Sequence, residues 1–225
     1  MTARNLVSTQ SSARRSRSAK AGKPADEHAA KLSSGGRPRS EASRIALLET
    51  AYRLMKKHPL NAISTQQIAA NAGVSTATVY RWWPTKEALL VDAVLHVKKQ
   101  NVPIGETGSP LERIREHAIA SGKFLQGEGG LVAVRLLTAI QDDPKLRQSY
   151  SEMFYVPHLS QLMDLARQAV EAGELPRGTN LQVFLDMQFG ACLTRMLMRH
   201  EQTHPSDFAV AFDIAVAGAR SYWAD

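Results

Sequence analysis

The stretch Ser64–Lys86, STQQIAANAGVSTATVYRWWPTK, is short and dense in helix boundary signals. Ser64 and Gln67 stand at capping-box spacing, and Ile63 and Ile68 flank them at the spacing of a hydrophobic staple. A short helix is therefore expected over Thr65–Asn71. Gly73 can take the left-handed conformation that ends it and turns the chain. Ser75 can cap a second helix, in which Val79 and Trp83, four residues apart, point inward. Thr76, Ala77, Tyr80 and Arg81 then share the outer face. Short polar groups, a phenol and a guanidinium on an exposed helix suit a DNA major groove. The stretch reads as a helix-turn-helix.

Outward from it, charge is unevenly spread over the 225 residues. Residues 1–40 hold nine Lys or Arg and two Asp or Glu, a net +7, which equals the net charge of the whole chain. Residues 41–100 carry +4 and residues 101–225 carry −4. A basic front on an acidic back implies a polyanionic partner for the front. A merely solubilising tail is the competing reading. No apolar run approaches the roughly 20 residues that span a bilayer, and the arginine-bearing N-terminus lacks the apolar core of a secretory signal. The single cysteine, Cys192, excludes an intramolecular disulfide and fits a reducing cytoplasm; its apolar surroundings point to a buried core thiol.

In order along the chain, residues 1–39 are expected to be a disordered basic tail, rich in Ser, Ala, Arg, Lys and Gly. Gly36-Arg37-Pro38-Arg39 at its end can lie extended in a minor groove, or can touch phosphates loosely. Residues 40–100 are expected to form the DNA-binding domain. A first helix capped by Ser40 starts it, and Ile45, Leu48, Tyr52 and Met55 repeat at helical spacing up to Pro59. After Pro84, Thr85 caps a long helix to about Gln100, with Leu90, Ala93, Val94 and Val97 on one face. Lys86 opens that helix. A cation there opposes the helix dipole, which makes sense beside a phosphate; a solvated lysine is the alternative.

Asn101–Gly108 forms a joint, and residues 101–225 are expected to fold as an all-helical second domain. Ser109-Pro110-Leu111-Glu112 combines a capping box with proline at the first helical position. That helix should break at Gly127–Gly130, and a short apolar helix follows over Leu131–Gln141. A longer one should run from Asp143-Pro144 to Ala172, kinked or split at Pro157 and ended by Gly173. Thr179 and Gln182 form another box, opening a helix to about His200, and a last helix covers Asp207–Tyr222. These two final helices are apolar on more than one stripe, so one face should pack within the domain and the other against a second copy of the chain. Leu185, Phe189, Cys192, Met196, Phe208, Phe212, Ala215, Gly218 and Ala219 are the expected homodimer interface. Val210, Ile214 and Ala217 lie elsewhere on the last helix.

The segment IAANAGVSTATVYRWWPTKEALL, Ile68–Leu90, resembles the signature of the TetR family of bacterial transcriptional regulators. It has the family's Ile-Ala pair, Ala-Gly-Val-Ser, a tyrosine in the recognition helix, an aromatic before proline, and Lys-Glu-x-Leu. The resemblance is strong over Arg44–Leu95; beyond that it rests on architecture and on Gly173-Glu174-Leu175-Pro176. It implies an all-α homodimer with an N-terminal DNA-binding head and a C-terminal ligand-binding domain. A small effector would shift the long fourth helix and spoil the spacing of the two heads. By position, the resemblance implies that Thr65 and Lys86 meet phosphate and that Thr76, Ala77 and Arg81 approach base edges, with Tyr80 and Trp82 on the backbone. Ser75 and Thr78 belong to the same DNA-facing turn. Trp83 packs in the core, while the Trp82 ring can lie on the duplex or cover the head's own core.

Effector-pocket residues are expected among the large or adaptable side chains near the kinked helix: Phe124, Leu136, Met153, Phe154, Tyr155, Met163, Phe184, Met187 and Gln188. The structural alternative is that they fill a core. Few charges lie among them, so an apolar or aromatic effector is expected. No phosphate-binding Gly-rich loop, Ser/His/Asp arrangement or paired carboxylates suggest an enzyme, and no cofactor or metal is expected. His200 and His204 are four apart but straddle a helix end before Pro205, a poor zinc site. His117 reads as a surface or pocket-edge histidine. The chain is thus expected to be a cytoplasmic, effector-released repressor of a near-palindromic operator, with heads about 34–36 Å apart. A regulator of this fold without an effector is the runner-up, and a helical enzyme stands behind it.

Overall fold

The computed structural model describes residues 37–223, with side chains from residue 41, and among them every regular element is helical. Helix α1 (Arg37–Lys57) starts before the Glu41 position that a Ser40 cap predicts, so residues 37–40 are helical rather than an extended arm. Its Leu47, Leu48, Ala51 and Met55 are fully buried. A 3-10 turn, Leu60–Ala62, follows Pro59. Helix α2 (Thr65–Asn71) has the expected limits, and the Ser64 hydroxyl accepts from the Gln67 backbone N–H at 3.1 Å. Ile63 and Ile68 are both buried, as a staple requires, each contributing about 1.5–3 kcal/mol of burial. Gly73 has φ +68°, which lets the Val74 N–H return to the Ala69 carbonyl at 3.0 Å.

Helix α3 (Thr76–Trp82) is capped by Ser75, and α4 (Lys86–Asn101) by Thr85. Val79 and Trp83 point into the core. Asp92 of α4 accepts from Trp83 Nε1 at 2.9 Å and from Arg44 Nη1 of α1 at 3.2 Å. One carboxylate therefore joins α1, α4 and the end of α3, holding the recognition helix at a fixed angle to the long helix.

In the C-terminal half, α5 (Pro110–Gln126) shows both bonds of the Ser109/Glu112 capping box and packs on α8 and α10. Gly122 is the contact point: a Cβ there would stand 2.7 Å from Phe208 Cδ2 and 2.9 Å from Pro205 Cα, so a side chain would push α10 away. Helix α6 (Glu128–Asp142) starts directly after Gly127, and Gly129 and Gly130 lie inside it rather than in a break. The Asp143 carboxylate caps α7 (Pro144–Tyr150), which runs through a π-helical turn (Ser151–Tyr155) into α8 (Val156–Glu171). The expected break at Pro157 takes this form. Proline lacks the N–H the helical ladder needs there, and the wider turn just before it absorbs the mismatch. Gly173, at φ +73°, ends the helix as expected.

Two more helix starts differ from expectation. Helix α9 (Leu181–Leu193) is capped by Asn180, which accepts from the Val183 N–H, and not by Thr179, whose side chain is buried. After a second π turn (Thr194–Met198), α10 (Pro205–Tyr222) starts earlier than Asp207 and is capped by His204 in a box with Asp207. His204 thus serves as a cap, with Nδ1 2.8 Å from the Ser206 hydroxyl.

The core of the first four helices continues into the C-terminal half, taking in Val132, Leu136 and Ile140 of α6 and Leu146 of α7. Arg135 of α6 donates to the Met55 carbonyl at 2.5 Å and to the His58 carbonyl at 3.3 Å, at the C-terminal end of α1. Those carbonyls have no intrahelical donor, and the helix dipole favours a cation there. Lys56 and Glu128 add an ion pair at 2.6 Å on the same seam.

Candidate DNA-reading face and effector cavity

The outer face of α3 exposes Ala77, Tyr80 and Arg81 to solvent, with Tyr80 53% exposed although it is aromatic. Thr76 is half-buried beside them. The Ser75 and Thr78 hydroxyls lie 3.0 Å apart, so both are engaged in the cap and turn to a ligand only by giving up that contact. Trp82 does two things: one side carries the Arg44 guanidinium, 5.9 Å from the ring centroid, while the rest is exposed. Lys86 sits half-buried at the first position of α4. Thr65, the first residue of α2, is 6% exposed, so most of its side chain packs against the head while free backbone N–H groups open beside it at the helix start. The side chains of Arg37 and Arg39, expected in a minor-groove arm, lie outside those described.

A cavity of about 450 Å³ lies between α4, α5, α6, α8 and α9. Of the expected lining residues, Phe124, Leu136, Phe154 and Tyr155 face it. The other five do not. Met153 packs against the head's core, and Met163 and Phe184 against the core of α5, α8, α9 and α10. Gln188 is fully buried, donating to the Phe184 carbonyl at 3.3 Å, and Met187 faces solvent. Residues not expected in a pocket also form the wall: Val94 and Lys98 of α4, Ser121 of α5, His158 and Leu162 of α8, and Leu185 and Phe189 of α9, the last two expected at the dimer interface. Asp186 stands on the exposed rim and accepts from Gln182 Nε2 at 3.0 Å. A cleft of about 580 Å³ follows the seam between Leu60, Lys86 and α6–α7, with Lys86, Glu87, Arg135 and Asp142 set among apolar side chains such as Leu60, Leu90 and Leu146.

The polar end of the cavity is a chain of three basic side chains. Lys98 Nζ lies 3.1 Å from His158 Nε2 and 4.6 Å above the Phe154 ring. His158 Nε2 lies 3.4 Å from His117 Nε2, and His117 Nδ1 is 3.3 Å from the Pro103 carbonyl. His117, expected at a surface or pocket edge, is 1% exposed. Burial pulls Lys98 down to about 8. It pulls His117 down to about 4, reinforced by the Lys98 charge and opposed by the Pro103 carbonyl. His158 falls to about 3 through burial, then Lys98, then His117. Tyr150 at the same wall is pushed up to about 12, chiefly by burial. All three basic groups stand in the sequence in phase with apolar stripes: Leu90-Val94-Lys98, Ile114-His117-Ala118 and His158-Leu162-Leu165.

The stripe expected to form the dimer interface is largely interior. Leu185, Cys192, Met196, Phe208, Phe212, Ala215 and Ala219 are buried within the protomer, and Phe189 and Leu185 line the cavity. Burial pushes the Cys192 thiol up to about 11, with Asp207 adding to it. Gly218 alone of that set lies outside. The exposed apolar surface is the other stripe, comprising Val183, Met187, Leu193 and Met198 on the α9 side and Val210, Ile214 and Ala217 on α10.

A tri-helical head presenting a solvent-exposed recognition helix, joined to a helical half with an internal cavity, defines a helix-turn-helix transcriptional regulator. The chain belongs to the TetR family of such bacterial regulators. Residues 47–93 match the family described as "Bacterial regulatory proteins, tetR family", and residues 104–214 match "Tetracyclin repressor-like, C-terminal domain". It is 33% identical over 171 residues to the uncharacterized HTH-type transcriptional regulator YdeS of Bacillus subtilis (strain 168), covering 76% of this chain and 86% of that one. Similarity to AqdR of Rhodococcus erythropolis is 26% over 137 residues, or 61% of this chain and 66% of AqdR. Among solved structures, the TetR family regulator SCO0332 superposes with a TM-score of 0.65 at 23% identity, covering 78% of this chain and 97% of that one. FadR of Bacillus subtilis, in complex with stearoyl-CoA, gives 0.62 at 20% identity, covering 77% and 98%. The matched families and relatives are transcriptional regulators, and no described helix is long and apolar enough to cross a membrane.

Proposed function

We propose that the chain is an effector-released repressor that binds a near-palindromic operator as a homodimer in the cytoplasm. Residues 40–100 act as the reading head and residues 101–225 as the sensing and dimerising domain. Arg81, Thr76 and Ala77 meet base edges, Tyr80 and Trp82 the sugar–phosphate backbone, and Lys86 with the α2 N-terminus the phosphates. Two copies join through the exposed stripe of α9 and α10, which sets the head spacing.

The observation that carries the effector reading is the position of α6. Leu136 and Leu137 wall the cavity, while Arg135 on the same helix holds the end of α1. A molecule that displaces α6 therefore pulls on the head directly, in addition to any movement of α4 through Val94 and Lys98. This route adds to the shift of the long fourth helix that the family resemblance implies. An effector need only favour a head spacing that DNA does not fit, and its leverage is limited to its differential affinity for the two states.

The test begins with selection of bound genomic DNA to obtain the operator, followed by fluorescence anisotropy at fixed salt. Arg81→Ala should weaken operator binding by about 1–3 kcal/mol and relax selectivity at one base position. Tyr80→Ala should weaken binding more evenly across sequences. Wild-type affinity in both folded variants would remove α3 from the reading role.

A further inference from the structure

We propose that the cavity takes an amphipathic anion, with an apolar body against Phe124, Leu136 and Leu162 and one carboxylate-type head held by the Lys98 ammonium. This rests on the reading of the cavity as the effector site. Lys98 is the one Lys or Arg lining the cavity among the described residues, and no described carboxylate forms an ion pair with it. An ammonium has three donors, and His158 Nε2 is the one protein acceptor recorded for Lys98.

The proton inventory of the chain shows why the head should be anionic. The Pro103 carbonyl can only accept, so His117 carries its proton on Nδ1 and presents a lone pair at Nε2. Lys98 can only donate, so His158 Nε2 is also a lone pair. The His158 lone pair and the Phe154 face thus contact the cation, with the His117 ring behind His158, orienting it without neutralising it. A partly desolvated charge with no counter-charge is costly, and an incoming carboxylate supplies the missing partner together with acceptors for the remaining N–H groups. With a single lysine, the site matches one negative charge. The remaining wall is apolar apart from Ser121, the Tyr150 and Tyr155 phenols, and Asp186 on the rim.

The titratable groups that share the cavity wall with Lys98 are Tyr150 of α7, Tyr155 of the π turn, His158 of α8 and Asp186 of α9, and His117 of α5 lies behind His158. Both imidazoles are neutral at pH 7 and Tyr150 keeps its proton, so raising the pH through about 8 removes the Lys98 charge first.

The experiment measures calorimetric binding of decanoate, 1-decanol and decylamine to the full-length chain, below their micelle-forming concentrations. At pH 7 decanoate should bind at least about tenfold tighter than the alcohol, and the amine weakest, a difference of about 1.4 kcal/mol. The preference should shrink at about pH 9.5, disappear in Lys98→Met, and persist in Lys98→Arg. Equal binding of acid and alcohol, a preference surviving in Lys98→Met, or no binding of any of the three would overturn the inference. Operator release is scored separately. Release by acid and alcohol alike would keep the effector reading while removing the charge assignment. Lys98-dependent acid binding with unchanged operator affinity would do the reverse.

Discussion

Replacing Lys98 with methionine should make the free protein more stable, although it deletes a hydrogen bond. The wild-type ammonium is pulled from 10.5 to about 8 by burial. At about 1.36 kcal/mol per pKa unit, that shift sets a ceiling of about 3 kcal/mol on the cost of keeping the charge at pH 7. Water at the cavity mouth screens part of it, leaving about 1–3 kcal/mol. For a chain of this size that corresponds to roughly 2–10 °C in Tm. Because the folded pKa lies below the unfolded one, the unfolded chain holds more protons between about pH 8 and 10.5. Wild-type stability therefore rises with pH across that window. The variant has no such group, so its advantage should be largest near pH 7 and fade toward pH 10.5. Circular-dichroism melts at matched protein concentration, taken at pH 7 and at intervals to about pH 10, measure both features. A variant less stable than wild type at pH 7, or a gap that does not change with pH, would refute the reasoning and mean that Lys98 is compensated in the free protein.

Two further outcomes follow from the same geometry. Arg135→Met keeps the aliphatic stem but removes both bonds to the end of α1, and should cost about 1–3 kcal/mol of stability. It should also blunt operator release by any cavity ligand while changing operator affinity in its absence much less; full release at wild-type ligand concentration would exclude α6 as the coupling element. Met187→Glu with Ile214→Glu places charge on exposed apolar positions of α9 and α10 and should yield monomers by sedimentation at micromolar concentration with helicity intact. A dimer of wild-type strength would put the interface elsewhere.

The head was legible because its signals are local. Ser64, Gly73, Ser75 and Thr85 act within four residues of where they stand, so spacing alone fixes α2, α3 and the start of α4. Of the hydroxyl caps that misled, Thr179 lost to its neighbour Asn180, a competition between adjacent residues that spacing does not decide, and Ser40 lies inside α1. The dimer stripe failed for a different reason. Helices α9 and α10 are apolar on two sides, and which side faces inward depends on α5 and α8, as the Gly122–Phe208 approach illustrates. The cavity wall failed similarly: Phe184 and Met163 are as large and adaptable as Phe124, but their positions on the helices turn them into the core. Lys98 and His158 were passed over, and His117 was read as a surface or pocket-edge histidine, although a basic side chain in phase with a buried stripe was the available clue.

The π turn at Ser151–Tyr155 has a consequence for how the cavity can change shape. It places one residue more between Asp143 and Gly173 than an unbroken α-helix would need, and Phe154 and Tyr155, both on the cavity wall, belong to it. The Asp143 cap and the left-handed Gly173 fix the two ends of that stretch. With no N–H on Pro157 the extra residue can step only toward α7, and such a step would turn Phe154 and Tyr155 while both ends stayed where they are. The wall therefore contains one residue of spare backbone, and proline sets the direction in which it can be taken up.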